Sequence, residues 1–144
     1  MLPVVLWGMV LLGLAFWRTV RPLGVGMGPT RTVGPVIPFL VDTTLIASAI
    51  VSTGYWESPY ALCLLTPVVA AGFSRGYGFA VRLALAASIA VSLPYHVTGF
   101  ASGEAGLQVT AQWVIELLLV AALAGYARRL FGEAEIRHSQ TMDR

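Results

Sequence analysis

Sixteen charged side chains, nine basic and seven acidic, are all that this 144-residue chain has with which to face water. They make up 11% of the residues, against about 25% in an ordinary soluble domain. Hydrophobic residues reach 57%. A soluble fold of this length needs a polar skin, because much of its surface stays in contact with water. The composition therefore excludes a soluble enzyme, a nucleic-acid-binding domain and a disordered tail. It leaves an integral membrane protein built as one compact helical domain, with the lipid bilayer as its first partner.

Every basic residue is Arg, and Lys and Asn are both absent. Both missing residues use AT-rich codons, so the bias points to a GC-rich bacterial genome. The pI near 9.0 does not imply nucleic acid here, because in a membrane protein Arg placement reports topology first. The single Cys63 excludes an intramolecular disulfide and a multi-Cys metal site. It lies in an apolar run and reads as a buried, inert thiol.

Five apolar stretches follow one another: residues 2–17, 35–53, 60–73, 79–97 and 110–126. The first is short of the roughly 30 Å hydrocarbon core at 1.5 Å per residue, but it lacks the basic start and small-residue cleavage site of a signal peptide. It reads as a span. Residues 18–34 read as a flexible loop holding Arg18, Arg21 and Arg31, and residues 98–109 as a polar, Gly-rich loop. The connection at 54–59 carries Tyr55 and Trp56, suited to anchoring at the membrane–water interface. Pro67 and Pro94 are expected to kink the third and fourth helices. Small residues recur in every later span and predict a tight bundle rather than a wide pore. The expected fold class is all-α: a polytopic transmembrane helix bundle of about five spans, with a cytoplasmic C-terminal signalling helix. Residues 1–127 form the transmembrane domain in this reading, and 128–144 begin a cytoplasmic linker helix.

The positive-inside rule tests this topology. Placing the 18–34 loop inside also puts Arg75, Arg82, Arg128 and Arg129 inside, and leaves Glu57 and Glu104 outside with no basic residue. The expected location is the bacterial plasma membrane, multi-pass, with the C-terminus in the cytoplasm.

Four ionisable residues then fall within or at the edges of spans: Asp42, Arg82, His96 and Glu116. A charge near the bilayer centre costs about 2.5–3.5 kcal/mol on insertion scales, so each needs a partner, a wet cavity or a route to the interface. Depth allows an Asp42–Arg82 pair in the inner half. The alternative has Arg82 reaching to the inner headgroups and Asp42 protonated or bonded to Thr43 or Thr44. His96 and Glu116 lie in the outer half, at depths that let them meet around a cavity open to the outside, an arrangement suited to sensing protons or binding a cation or small ligand. The bland reading leaves His96 wetted at the interface and Glu116 protonated in the bundle. Two ligands without a third make no metal site, and no catalytic or cofactor-binding residue is assigned.

The runs Gly54-Tyr55-Trp56-Glu57-Ser58-Pro59-Tyr60-Ala61-Leu62-Cys63-Leu64-Leu65-Thr66 and Ala70-Ala71-Gly72-Phe73-Ser74-Arg75-Gly76-Tyr77-Gly78 resemble the membrane sensor region of actinobacterial two-component histidine kinases. The stretch Arg128-Arg129-Leu130-Phe131-Gly132-Glu133-Ala134-Glu135-Ile136-Arg137 resembles the helix leading from their last span to cytoplasmic modules. The resemblance implies a homodimer, cytoplasmic kinase modules that bind ATP, and a response regulator downstream. These 144 residues hold no Gly-rich ATP lid and no Asn-bearing kinase box, and His138 has no acidic neighbour of the phosphoacceptor kind. The chain alone is thus expected to be no enzyme and to hold no cofactor. The leading expectation is a sensory input domain. A small transporter or channel subunit using Asp42, Arg82 and Glu116 as a relay is the alternative, and a passive membrane anchor is the third reading.

Overall fold

The structure, a computed structural model, describes residues 2–20, 36–100 and 103–142, with side chains as far as residue 134. The loop expected at 18–34 lies mostly outside these residues, as does the side chain of His138. Five α-helices make up the fold: α1 (Leu2–Val20), α2 (Ile37–Thr53), α3 (Leu65–Arg75), α4 (Tyr77–Val97) and α5 (Gly103–Met142). Two 3-10 turns, Tyr55–Glu57 and Ala61–Leu64, join α2 to α3, and no strand occurs among the described residues. The helices α1, α4 and the Gly103–Ala134 part of α5 are long and apolar enough to cross a membrane, while Ile37–Thr53 and Ala61–Arg75 are shorter apolar segments.

Several boundaries differ from expectation for local reasons. The first helix runs on to Val20, so its 19 residues reach about 28 Å and Arg18 is helical rather than part of a loop. Pro67 is the third residue of α3, which follows directly on the 3-10 turn Ala61–Leu64, so it stands in the first turn of an α-helix, where proline is tolerated, rather than in its middle. Pro94 is inside α4, near its end, and its carbonyl accepts from both the backbone N–H and the hydroxyl of Thr98. The polar stretch at 98–109 is mostly helix, because α5 starts at Gly103. Tyr55 and Trp56 are buried against the rest of the protein rather than turned outward.

Pairwise contacts order the helices up and down. The end of α1 meets the start of α2 through Arg18 and Asp42, and the start of α1 meets Tyr60 beyond the end of α2. The ring of Phe39 contacts Phe79 at 5.7 Å, and Tyr55 contacts Tyr95 at 5.5 Å, so α2 and α4 run the same way. Thr110 pairs with His96 at one end of α4, and Gly125 touches Tyr77 at the other, so α5 runs back along α4. Arg18, Arg75, Arg82, Arg128 and Arg129 consequently gather toward one end of the bundle. Glu57, His96 and Glu104 gather toward the other.

The core is built from α2 to α5. Ile50, Leu64, Val68, Val91 and Leu117 are fully buried, with Ala71, Ala80, Ala84, Ala87 and Ala121 between them. Where α3 and α4 cross α5, no room is left for a side chain. A Cβ on Gly72 would stand 2.5 Å from that of Ala124. The turn between α3 and α4 is Gly76 at φ +89°, a conformation that glycine adopts without steric cost. Most hydroxyls in α2 and α4 are satisfied locally: Thr43, Thr44, Ser48, Thr53 and Ser88 each donate to the carbonyl four residues back, whereas the buried Ser92 Oγ in α4 has no partner among the described residues. That pairing makes a Ser- or Thr-bearing helix compatible with lipid. Large apolar side chains such as Leu12, Phe16, Ile89, Leu93, Ile115 and Leu119 cover the outside.

Candidate intramembrane polar site

Asp42 lies five residues beyond the start of α2, about 7.5 Å along its axis, and is 7% exposed. Its helix opens with Pro38 in the first turn, where proline's fixed φ suits helix initiation. The partner is Arg18, in the last turn of α1. Its Nη2 donates to Asp42 Oδ1 at 2.6 Å, and its Nε donates to Oδ2 at 2.9 Å and to Oδ1 at 3.2 Å. A further bond runs from Nη2 to the Pro38 carbonyl at 3.1 Å. The planar guanidinium thus grips the carboxylate with both nitrogens, the arrangement that makes such pairs strong and directional. Neither charge is left alone in an apolar surrounding.

The pair allowed by depth between Asp42 and Arg82 does not form. Arg82 is exposed on α4, and Asp42 is already taken by Arg18. Nor do His96 and Glu116 meet. His96 Nε2 lies 3.1 Å from the Thr110 hydroxyl, while Glu116 Oε1 accepts from Gln112 Nε2 at 3.0 Å. Glu116 is six residues beyond Thr110, hence about 9 Å along α5 and about 240° around it, which carries it off His96's side. Among the described residues, no three His, Cys, Asp or Glu side chains converge on a point that could hold a metal ion.

Arg18 escaped the sequence reading because the apolar run was closed at Trp17. The available signal was that Thr19 and Val20 permit one more turn. An antiparallel hairpin then sets the end of α1 level with the start of α2.

The opposite end of the bundle is aromatic. Trp56 and Trp113 stack with centroids 5.5 Å apart and planes 14° apart, and Tyr55 packs on Tyr95 and Phe100. Tyr55 takes the left-handed backbone conformation, φ +55°, which a bulky residue holds only when its surroundings impose it. Its ring is buried and its hydroxyl lies 3.1 Å from that of Thr98, which fixes it there.

Together these features define a helical membrane protein with a built ion pair near one face and an aromatic layer near the other. No family model, no curated protein and no solved structure matches the chain.

Proposed function

We propose that the chain is the membrane input domain of a two-component sensor histidine kinase, set in a bacterial plasma membrane with its Arg-rich end in the cytoplasm. The observation that carries this reading is α5. One unbroken helix packs against α3 and α4 and then continues from Arg128 to Met142, about 21 Å further along the same axis. A helix seated in the bundle on one side, with residues 129–134 exposed beyond it, is suited to passing a shift or rotation outward. The Arg clustering supports the orientation. Homodimerisation, ATP-binding kinase modules and a response regulator belong to the same reading and rest on the sequence resemblance.

A relay of ionisable groups through the bundle is the less favoured alternative. Asp42 is engaged by Arg18, Arg82 points outward, and His96 and Glu116 each bond a neutral neighbour. Among the described residues, no chain of ionisable groups links the two ends in that arrangement.

The test is a fusion of residues 1–144 to a histidine kinase transmitter, reconstituted in vesicles and assayed for autophosphorylation. Output that depends on α2 to α4 supports the input domain. Output unchanged when those helices are replaced by an unrelated bundle of equal span number reduces the chain to an anchor. Flux of protons or ions through vesicles, abolished by Glu116→Gln, would favour the transporter.

A further inference from the structure

Every helix from α2 to α5 contributes buried residues to the core, whereas α1 contributes none. It touches the rest through one narrow seam. Val4, Trp7, Gly8, Leu11, Leu14 and Arg18 are half-buried, at spacings of one, three or four residues, and the other described positions of α1 are exposed. In a bilayer such a seam gains no hydrophobic driving force, because lipid chains cover apolar surface as well as a helix does. What holds α1 must then be packing and polar contacts, and the polar contacts are unequal at its two ends. Near Val20, Arg18 makes the two-nitrogen ion pair with Asp42 and a bond to Pro38. Near Leu2, half-buried Val4, Trp7 and Gly8 pack on the bundle, and the polar contact among the described residues is one neutral hydrogen bond from the Tyr60 hydroxyl to the Val4 carbonyl. Gly8 makes room for it, since a Cβ there would stand 2.9 Å from the Tyr60 Oη.

Separating Arg18 from Asp42 would leave a carboxylate on a short side chain unpaired within the apolar layer. Letting go of Val4 costs far less, because that carbonyl keeps its place within the helix. We infer that α1 is a lever hinged at the Arg18–Asp42 pair, whose Val4 end swings on and off the bundle at Tyr60. Val4 and Arg18 are about 21 Å apart along the helix, so a swing of about 20° moves the Val4 end by about 7 Å. The geometry of the lever stands by itself. Its use as the moving part of a sensor rests on the proposed function.

Paired spin labels on the full chain in lipid nanodiscs, with Cys63→Ser, test this. One pair, Val5→Cys with Leu93→Cys, reports the swinging end, and another, Phe16→Cys with Leu85→Cys, reports the hinge. All four positions are exposed. Tyr60→Phe is expected to broaden the Val5–Leu93 distances and add a population about 7 Å away from the main one, with Phe16–Leu85 unchanged. Asp42→Asn is expected to broaden the Phe16–Leu85 distances. The lever is overturned if Tyr60→Phe leaves Val5–Leu93 unchanged or moves both pairs alike, or if Asp42→Asn leaves Phe16–Leu85 narrow. In the kinase fusion, Tyr60→Phe is expected to change autophosphorylation at least threefold. If the distances respond and the kinase does not, the lever stands and the sensory reading fails.

Discussion

Gly125 of α5 lies directly against the main chain of Tyr77 at the start of α4: a Cβ placed on it would stand 2.6 Å from Tyr77 Cα and 2.9 Å from its nitrogen. Its neighbour Ala124 receives α3 in the same manner, through Gly72. Two consecutive positions of α5 therefore seat the end of one helix and the beginning of the next, with Gly76 turning the chain between them. Backbone cannot move aside as a flexible side chain can. Gly125→Ala is expected to destabilise the bundle by about 1–3 kcal/mol, the usual range for overpacking. Gly132, on the same helix, has no atom within 4 Å of such a Cβ, and Gly132→Ala is expected to stabilise the helix by up to about 1 kcal/mol. Unfolding midpoints in detergent micelles compare the two, and effects of the same sign would contradict this account of the crossing.

The Arg18–Asp42 pair makes a graded prediction. Removing one partner of a buried pair costs about 3–5 kcal/mol, whereas replacing both by apolar residues is often neutral. Arg18 keeps 24% of its side-chain surface exposed and Asp42 10%, so Arg18 can turn to the interface more easily than Asp42 can. Arg18→Met is therefore expected to destabilise more than Asp42→Asn. The double variant Arg18→Met/Asp42→Leu should lie closer to wild type than either, and Arg18→Lys should fall between, keeping the charge but losing the two-nitrogen grip. Reversible unfolding in micelles ranks the four.

The stacked pair at the other end separates area from hydrogen bonding. Trp56 is 3% exposed and its indole N–H has no acceptor, a situation that subtracts from its stabilising effect. Trp56→Phe keeps a ring against Trp113 and removes the orphaned donor. It is expected to cost less than about 1.5 kcal/mol, against about 3–5 kcal/mol for Trp56→Ala. Thermal unfolding of both variants decides whether the indole nitrogen is the liability described here.

How much of this was readable beforehand follows from the range of the forces involved. Helix class and a membrane setting came from composition and run length, which act locally and add up along the chain. The gathering of Arg toward one end was legible because alternation of helices alone dictates it. The partner of Asp42 was not. Depth arguments fix a level along the bundle but leave the angle around it open, and both Arg18 and Arg82 satisfied the level. The same blindness to angle brought His96 and Glu116 together on paper. The place of Pro67 in the first turn of α3 was not legible either, because no local signal marks the change from 3-10 turn to α-helix at Leu65. The inward burial of Tyr55 and Trp56 depended on Tyr95, Phe100 and Trp113, distant residues that no local pattern announces.

The proposed transmission through α5 makes a prediction about phase. A helix turns about 100° per residue, so one residue inserted after Gly132 rotates everything beyond it by that angle relative to the bundle. Seven residues rotate it by about 700°, within about 20° of two full turns, while moving it about 10 Å along the axis. If rotation and register carry the signal, a one-residue insertion in the kinase fusion should shift autophosphorylation several-fold, and a seven-residue insertion should leave it near the parent level. The insertion also separates Arg129 from Glu133, whose exposed ion pair of 3.1 Å is worth at most about 0.5 kcal/mol. Glu133→Ala serves as the control and is expected to change neither stability nor output measurably. Equal outputs after one and seven inserted residues would show that α5 acts as a tether rather than a rotor.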